Sequence, residues 1–567
     1  MSKNVIYILA AIVMFAVAVI YWPVTHASFV WDDWQSFRDK PWLTQDDLWK
    51  HAIFSGFNDF SFYFRPLVIA FFTLQVRLFD STPSPMHAVS LAIHLVNVAL
   101  VGMLSWQCAR LNEYSPKVQT WMTALCMTIY GLHPALIEPV AWIGCQFDLI
   151  TTMLITFGLL MNIWISQKLT RAATLVVIFF LAACSKESAI AFPLLILIFD
   201  WIFINRVQID SNQKRAILST LDAMTRRNGA AYAGILLSGL LYLFFRHWAL
   251  GSITNSLPPS PMPLFARLQL IGFVYLHYWK IILWPVSGMS PIHPFDRQTF
   301  TIFSASSVAS TVLAFGIFVA ALYAGIRRNH AWACIIIAVT LALFPVLQII
   351  PVQFEVSLYH ERYATTALAV LCSMLPLVRW PDRSLSQSGK LIVLLTSTSA
   401  IFLWLSFSIV TIRTILPRWS NDVTLWGWAH TMSPESSQAK DYLLIAYMRN
   451  KDFGAASSLA DEFLTERDVC LSCMIQVAKI AETNNDTRRA TLALERLSTD
   501  PYLKSNDGAP MRLIYYQLKA RLLIQENKLD DAEKVTQMAV ALKPTDTNSQ
   551  DLLSKILALK EQATQSH

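Results

Sequence analysis

Two adjacent carboxylates in an aromatic setting are the residues of this sequence best suited to chemistry. Asp32 and Asp33 lie among the aromatic side chains of residues 29–37, directly after the first apolar segment. Ionised carboxylates are costly inside hydrocarbon, so we expect the pair in the membrane interface or in water. There it could act as a general base or bind a cation. The simpler alternative is that the pair only marks the end of a transmembrane helix.

A single arginine opens the next apolar stretch. Arg65 precedes Pro66, and the stretch that follows is too short to span a membrane comfortably before the prolines at 83 and 85. We therefore predict a helix that lies along the membrane with Arg65 at its N-terminus. A guanidinium there is suited to binding phosphate, because its fork of donors and the helix dipole act together. Contact with bulk lipid phosphates alone is the alternative.

Two further segments place polar groups beside apolar runs. His133 and Glu138 precede Asp148, which lies inside an apolar run, where an ionisable residue is a functional candidate. Lys186 and Glu187 form a polar break between two apolar runs. This second pair could hold a ligand, or the two charges could simply neutralise each other at a turn.

A last cluster of charges opens a late apolar run. His360, Glu361 and Arg362 are adjacent in sequence, and together they are suited to binding a phosphate or a sugar. A snorkelling side chain would explain Arg362 alone but not the cluster.

The composition is typical of an integral membrane protein. Of the 567 residues, 54% are hydrophobic and only 15% are charged, and the mean hydropathy is +0.43. No soluble core could bury so many apolar residues. Lysines and arginines in short loops account for much of the net charge of +7. Membrane orientation explains those residues, so we predict no nucleic-acid function.

About eleven apolar runs are predicted to span the membrane. They are residues 4–22, 86–109, 118–133, 138–165, 172–184, 188–204, 230–250, 304–326, 331–350, 363–379 and 391–413. We expect the first to be a retained helix rather than a cleaved signal, because no small-residue cleavage site follows it.

Basic residues in alternate loops predict the topology. The positive-inside rule places those loops, and the N-terminus, in the cytoplasm if residues 265–285 do not cross the membrane. That segment carries Arg267, His277 and Lys280 among apolar residues, which favours an amphipathic helix at the outer interface. An odd number of spans then puts the first outer loop, residues 24–85, on the same outer face as the C-terminal domain.

The apolar runs end before a second domain. We predict a transmembrane domain at 1–416 and a soluble domain at 417–567, with paired helices spaced as in a repeat of roughly 34 residues. The clearest pairs are Gln438–Arg449 with Phe453–Leu464 and Met511–Glu526 with Leu529–Leu542. This rhythm is typical of tetratricopeptide repeats, although an ordinary helical bundle is the alternative. Either would offer a groove to a peptide or partner helix.

Cysteines and acidic residues give no metal site. Cys470 and Cys473 are the only spaced cysteine pair in the soluble domain. They could form a disulfide or no bond at all, and a metal would require two more ligands nearby. A divalent cation on the adjacent carboxylates at 32 and 33 is conceivable, but two carboxylates are too few to predict one.

Together these segments resemble the transmembrane and tetratricopeptide repeat-containing protein O-mannosyltransferases, and more broadly the GT-C glycosyltransferases that use polyprenyl-phosphate sugars. The order and spacing of motifs along nearly the whole chain carry the resemblance. The motifs are Asp32-Asp33, Arg65-Pro66-Leu67, His133-Pro134 to Asp148, Ser185-Lys186-Glu187 with Phe192–Leu195, Tyr278–Pro285, Glu361-Arg362-Tyr363 and Trp419–Trp426. The short repeat domain and residues 363–366 depart from the family pattern, which leaves the sugar and the acceptor open.

The resemblance implies an all-α GT-C-like bundle followed by helical repeats. It implies a catalytic acid in the first outer loop, which falls on Asp32 or Asp33, with Asp33 slightly favoured. Arg65 and Arg362 would hold the phosphate of the carrier. The expected reaction moves a sugar, with inversion, from a polyprenyl-phosphate donor to an acceptor hydroxyl on a protein that the repeats hold.

Two other functions fit the same layout. One is an O-antigen ligase-like oligosaccharide transferase, in which we would expect the essential groups in one large late outer loop. The other is a non-catalytic membrane scaffold whose repeats recruit partners. The acid in the first outer loop and the short late loop favour the transferase. The compact chain favours a bacterial inner membrane, with the active loops and repeats in the periplasm.

Overall fold

The computed structural model describes residues 4–38, 63–206, 217–253, 262–295, 297–328, 330–349, 357–378, 386–465, 471–505 and 508–565. Within these ranges the chain is helical, apart from an isolated β-bridge between Pro294 and Ser357. The chain divides into two units, Met1–Asn421 and Asp422–His567, called here the membrane unit and the repeat unit. Residues 39–62 of the predicted first outer loop lie outside the described residues.

The membrane unit has fifteen α-helices among its described residues. They are α1 (Asn4–Tyr21), α2 (Asp33–Phe37), α3 (Pro66–Phe79), α4 (Pro83–Leu111), α5 (Pro116–Gly131), α6 (Ile137–Ala141), α7 (Gln146–Trp164), α8 (Lys168–Ala183), α9 (Ala191–Arg206), α10 (Ile217–Leu250), α11 (Leu264–Leu283), α12 (Ala305–Arg328), α13 (Ala331–Leu343), α14 (Thr365–Met374) and α15 (Gln387–Ile415). Proline opens three of them, α3, α4 and α5. Its missing N–H costs nothing at a first helical position, and its fixed φ suits the helix.

Fewer helices than predicted are long enough to cross a membrane. Seven of those described are sufficiently long and apolar, or eight if α5 and the segment Pro134–Ala141, bent by 53°, form one span. The difference from eleven arises because α8, α13 and α14 have only 16, 13 and 10 residues, whereas a span needs about 20. Helix α11, in the segment predicted not to cross, is not among these candidates.

Buried polar side chains on α4 tie the neighbouring helices to it. His94 contacts the carbonyl of Gly131 at 3.1 Å, and Asn97 donates to the carbonyl of Leu149 at 3.0 Å. Both side chains are fully buried. Such bonds are needed because an unpaired polar group in an apolar interior is costly. They fix the ends of α5 and α7 against α4.

Hydrogen bonds show which helix termini lie together at the end of the bundle that contains Asp33, called here the site end. The amide of Ser28, after α1, donates to the carbonyl of Ser420, after α15, at 2.8 Å. The hydroxyl of Tyr242 on α10 donates to the carbonyl of Phe64, before α3, at 3.0 Å. The C-termini of α1, α10 and α15 therefore lie at the same end of the bundle.

The opposite end, called here the far end, is closed by a second set of bonds. Asn112, after α4, donates to the carbonyl of Pro376, after α14, at 2.6 Å. Arg171 on α8 donates to Asn228 on α10 at 2.6 Å. Although α8 and α14 are short, each therefore extends from residues at the far end of the bundle to residues at the site end.

The repeat unit contains nine helices among its described residues. They are α16 (Asp422–Met432), α17 (Ser437–Arg449), α18 (Phe453–Thr465), α19 (Leu471–Thr483), α20 (Thr487–Thr499), α21 (Pro501–Lys504), α22 (Ala509–Gln525), α23 (Leu529–Leu542) and α24 (Thr547–Gln565). The predicted pairs lie at α17–α18 and α22–α23, and α19–α20 adds another. Buried alanines such as Ala446, Ala456 and Ala532 allow the helices to approach closely. The all-α prediction is confirmed for the described residues.

The cysteines fall into two groups. The six described cysteines of the membrane unit are free and buried, as expected for small core residues. Cys473, on α19, is disulfide-bonded. Cys470, the remaining cysteine of the sequence, lies outside the described residues.

Candidate active site

Asp33 is buried at the start of α2, with 1% of its surface exposed. One carboxylate oxygen accepts a hydrogen bond from the amide of Gly144 at 3.0 Å, and the other accepts from the amide of Val30 at 3.4 Å. Gly144 lies in the short turn between α6 and α7. The carboxylate therefore joins the end of α1 to the start of α7 and has a fixed direction.

Asp32 precedes it in a strained turn. Asp32 is only partly buried, and the residue before it, Trp31, has a φ of 55°. A bulky side chain in this left-handed region costs about 1–3 kcal/mol and persists only where packing requires it. The packing here is a stack of Trp31 on Trp142, with ring centroids 4.7 Å apart and planes 7° apart. The turn thus holds the two carboxylates in different surroundings.

Glu138 and Arg362 form a buried ion pair beside this stack. Glu138 is 2% exposed. The amide of Arg362 donates to one carboxylate oxygen at 3.0 Å, and its guanidinium donates to the other. The guanidinium also lies 5.1 Å from the ring centroid of Trp142. Because the pair joins α6 to the turn before α14, two predicted site segments 224 residues apart meet.

Asp148 and Lys186 form a second buried pair. The ammonium group donates to the carboxylate at 2.5 Å, and neither residue is more than 8% exposed. Burial lowers the pKa of Lys186 below its ordinary value, Asp148 partly offsets this, and the positive charges of Arg65 and Arg362 lower it further. The positive charges of both arginines therefore act on the Lys186 ammonium group.

Arg65 completes a third pair, with Glu187. Its guanidinium donates to one carboxylate oxygen at 2.8 and 3.1 Å, and Arg246 on α10 donates to the other oxygen at 3.0 Å. Arg65 stands at the N-terminus of α3, as predicted. The idea that Lys186 and Glu187 neutralise each other is wrong, because the 3₁₀ turn that begins at Glu187 sends the two side chains to different partners.

Aromatic rings lie against all three cations. Tyr363 lies with its ring centroid 4.7 Å from both the Lys186 ammonium and the Arg362 guanidinium. Phe147 lies 4.6 Å from the Arg65 guanidinium. We call Arg65, Lys186 and Arg362 the cation row. Each has at most 13% of its side chain exposed and is paired with a buried carboxylate, so the row is a set of preorganised cationic donors in a largely desolvated place.

His360 and Glu361 belong to the same turn but have other contacts. Glu361 is 2% exposed, and its carboxylate lies 2.9 Å from Nε2 of His293. His360 is buried, and its Nδ1 lies 3.7 Å from the Glu138 carboxylate. Burial, followed by the charge of Arg362, lowers the pKa of His360 well below its ordinary value. His360 is therefore a neutral imidazole at neutral pH.

The side chain of His133 contacts backbone groups. Its Nδ1 accepts from the amide of Ala135 at 3.2 Å, and its Nε2 lies 3.0 Å from the carbonyl of Ile282 on α11. Both ring nitrogens are therefore engaged in joining α5, the bend after it and α11. The structure gives His133 these contacts rather than a place in the cation row.

Two polar residues of the site, Arg246 and His293, were not singled out from sequence. Arg246 lies inside an apolar run, so the rule that selected Asp148 would also have selected it. His293 gave no signal, because it lies in a polar loop without spacing to any other candidate. Only the fold brings it to Glu361.

No protein-family model matches the chain, and no curated protein or solved structure shows significant similarity to it. Within the described ranges, no group of three or more His, Cys, Asp or Glu residues is arranged to hold a metal ion. What the site can do must therefore be argued from its own geometry.

Proposed function

We propose that the protein is a membrane glycosyltransferase that moves a sugar from a polyprenyl-phosphate carrier to an acceptor hydroxyl, with inversion. The observation that carries the proposal is the cation row, which lies at the site end of a bundle of apolar helices beside a carboxylate pair. A lipid-linked phosphate needs an apolar environment for its chain and buried donors for its anion. The base for an acceptor hydroxyl is then supplied by the pair.

The chemistry needs one base and one stabilised leaving group. A carboxylate takes the proton of the acceptor hydroxyl. The hydroxyl oxygen then forms a bond to the anomeric carbon. The bond from that carbon to the phosphate oxygen breaks, and its electron pair stays on the lipid phosphate. The cation row stabilises this developing charge, as preorganised donors do in a desolvated site. Lys186 gives one N–H to Asp148, and an ammonium group has three to give.

The two carboxylates suit different roles. Asp32, which is partly exposed, is the better candidate for the base, because a base must reach the acceptor. Asp33 is buried and its two oxygens already accept hydrogen bonds from backbone amides, so it is less accessible to an acceptor hydroxyl. We therefore assign proton transfer to Asp32 and positioning of the turn to Asp33, although sequence alone slightly favoured Asp33.

The repeat unit would hold the acceptor protein outside the cytoplasm. Its buried-alanine helix pairs are compatible with tetratricopeptide repeats, which present concave binding surfaces. The disulfide at Cys473 supports an oxidising compartment, where such bonds persist. With the distribution of basic loops, this favours a bacterial inner membrane with the site end and the repeats in the periplasm.

The test is mass spectrometry of exported and membrane-linked proteins from cells that carry the wild type, Asp32→Asn or Asp33→Asn. Loss of a positioned base lowers the rate by about 10²–10⁴-fold, so glycan mass increments should disappear with Asp32→Asn. Asp33→Asn should reduce them less, because the amide keeps an acceptor oxygen. The matched control is Asp80→Asn at the C-terminus of α3, where the left-handed φ of 49° suits asparagine.

Three results would count against this function. Glycan masses that are the same with and without the gene would favour a scaffold. Full activity of both site variants would remove the carboxylate pair from the mechanism. Transfer of preassembled oligosaccharides to a lipid-linked acceptor rather than to protein would favour the ligase-like alternative.

A further inference from the structure

A cluster of basic residues lies at the far end of the membrane unit. A pocket of about 540 Å³ opens between the C-terminus of α7, the N-terminus of α8 and the first turns of α10. Its walls include Ser166, Lys168, Arg171, Arg226 and Arg227. The volume lies in the range of ordinary ligand sites. Helix α7 has 19 residues, so the pocket lies about 28 Å from the candidate active site along that helix.

The charges around this pocket do not balance. On helices α7 to α10, the acidic residues at this end are Asp200 and Asp222, against four basic residues in the walls. Asp222 pairs with Arg226 at 2.8 Å, but both side chains are more than half exposed, so the pair is weak. Two positive charges remain in excess.

Among the described residues at this end, the buried carboxylate of Asp200 already has several hydrogen-bond partners. Asp200 is fully buried and accepts hydrogen bonds from Asn162 at 2.8 Å, Asn228 at 2.5 Å and Tyr232 at 2.5 Å. Arg227 reaches it only at 3.5 Å. The carboxylate is therefore directed mainly into the bundle, and it meets the pocket wall through this long ion pair with Arg227.

Arg171 is built into the floor of the pocket. It is 3% exposed, and its guanidinium donates to the carbonyls of Ile165, Ser166 and Arg227 as well as to Asn228. All four acceptors are neutral. The guanidinium is therefore fixed at the floor of the pocket without a directly bonded carboxylate.

The surroundings of the pocket are apolar and exposed. Leu169, in the first turn of α8, is 79% exposed, and Trp164, at the end of α7, is 46% exposed. A tryptophan at the end of an apolar helix is typical of the membrane interface, where its amphipathic ring is stable. A ligand in this pocket would therefore present its anion to the arginines and its chains to these side chains.

We propose that this pocket binds the phosphate headgroup of an anionic membrane lipid. Basic pockets between transmembrane helices are suited to this chemistry, and the excess charge, the buried Arg171 and the apolar rim all point to a lipid rather than to a soluble anion. The site does not depend on the proposed function, because it lies at the other end of the bundle and shares no residue with the cation row.

The test is native mass spectrometry of the full-length protein in detergent, with added phosphatidylglycerol. We compare the wild type with Lys168→Gln/Arg226→Gln, which removes two wall charges and leaves Arg171 in place. Each basic side chain near an anionic surface contributes about a factor of five, so lipid retention should weaken by about 30-fold. The charge-matched control is Arg110→Gln/Arg327→Gln, two exposed arginines outside the pocket, and it should retain the lipid.

The wild type alone also tests the proposal, should the variant fail to fold. Phosphatidylcholine should not displace bound phosphatidylglycerol, and neither should inorganic phosphate at millimolar concentration. Displacement by phosphate would show a soluble-anion site, and equal retention of phosphatidylcholine would show bulk lipid contact. Either of these results, or equal retention by the folded wall variant and the wild type, overturns the proposal.

Discussion

Lys186 and Asp148 form an ion pair at a buried position, where leaving either charge unpaired costs free energy. Both are buried, and removing one partner of a buried pair costs about 3–5 kcal/mol because the other charge stays behind. Arg65 and Arg362 also attract Asp148, because each guanidinium charge interacts favourably with the Asp148 carboxylate. These two arginines should reduce the loss to the lower part of that range.

This predicts strong coupling between the two residues. Lys186→Met should lower the stability of the detergent-solubilised protein by about 3 kcal/mol, whereas Asp148→Asn/Lys186→Met should recover most of the loss, because no charge is then stranded. Melting curves of both variants measure the difference, with the exposed Lys117→Met as control. Additive effects of the two substitutions would show that the pair is not a unit.

At the residue scale, sequence predicted the charges better than their partners. Asp148 and Lys186 were selected because ionisable groups beside apolar runs need a reason to be there. Their pairing could not be predicted, because it depends on where α7 and the 3₁₀ turn after α8 place two side chains 38 residues apart. Adjacent residues 186 and 187 instead suggested a local pair that does not exist.

At the scale of elements, close helix packing depends on missing side chains. Gly158 on α7 faces Phe192 on α9, and a Cβ added at Gly158 would meet the phenyl ring at 2.3 Å. The ring is fully buried and stacks on Phe179 with centroids 5.9 Å apart, so it has little room to move. The glycine therefore sets the distance between α7 and α9.

We expect Gly158→Ala to destabilise the membrane unit by about 1–3 kcal/mol, the usual cost of overpacking. Gly316→Ala on α12 is the control, because nothing lies within 4 Å of an added Cβ there. In that position alanine should be neutral or stabilising, by up to about 1 kcal/mol, through helix propensity. The melting temperature should fall in Gly158→Ala and should stay the same or rise in Gly316→Ala, and equal shifts would refute the role of the α7–α9 contact.

The positions of helices were predictable from sequence, but their lengths were not. The apolar runs at 331–350 and 363–379 predict whole spans. In the structure their helices stop at Leu343 and Met374 and continue as 3₁₀ turns that contain Pro345 and Pro376. Proline removes a helical hydrogen bond and clashes with the preceding turn. Hydropathy alone does not register this, which is why these two runs yield helices too short to span the membrane.

At the scale of the whole molecule, the repeat unit has a core of its own. Residues such as Trp426, Phe463 and Ala532 are fully buried within it. One carboxyl group is poorly placed in that core. Asp441 on α17 faces Ser472 and Gln476 of α19, and burial raises its pKa to about 6.

The raised pKa of Asp441 determines how the stability of the repeat unit changes with pH. The folded state binds the Asp441 proton more tightly than the unfolded chain, whose carboxyl titrates near 4. Stability from this group is therefore gained as the pH falls through about 6 and is lost again as the pH rises. A shift of this size corresponds to about 1–3 kcal/mol.

We predict that residues 422–567, expressed alone, fold as a soluble helical unit that resists urea better at pH 5 than at pH 7.5. Asp441→Asn should raise stability at pH 7.5 and flatten the difference, because an amide does not titrate. Urea unfolding followed by circular dichroism measures both, with the exposed Asp531→Asn as control. If the fragment fails to fold, the repeat unit depends on the membrane unit for its core. An unchanged pH difference in Asp441→Asn would assign that dependence to other groups.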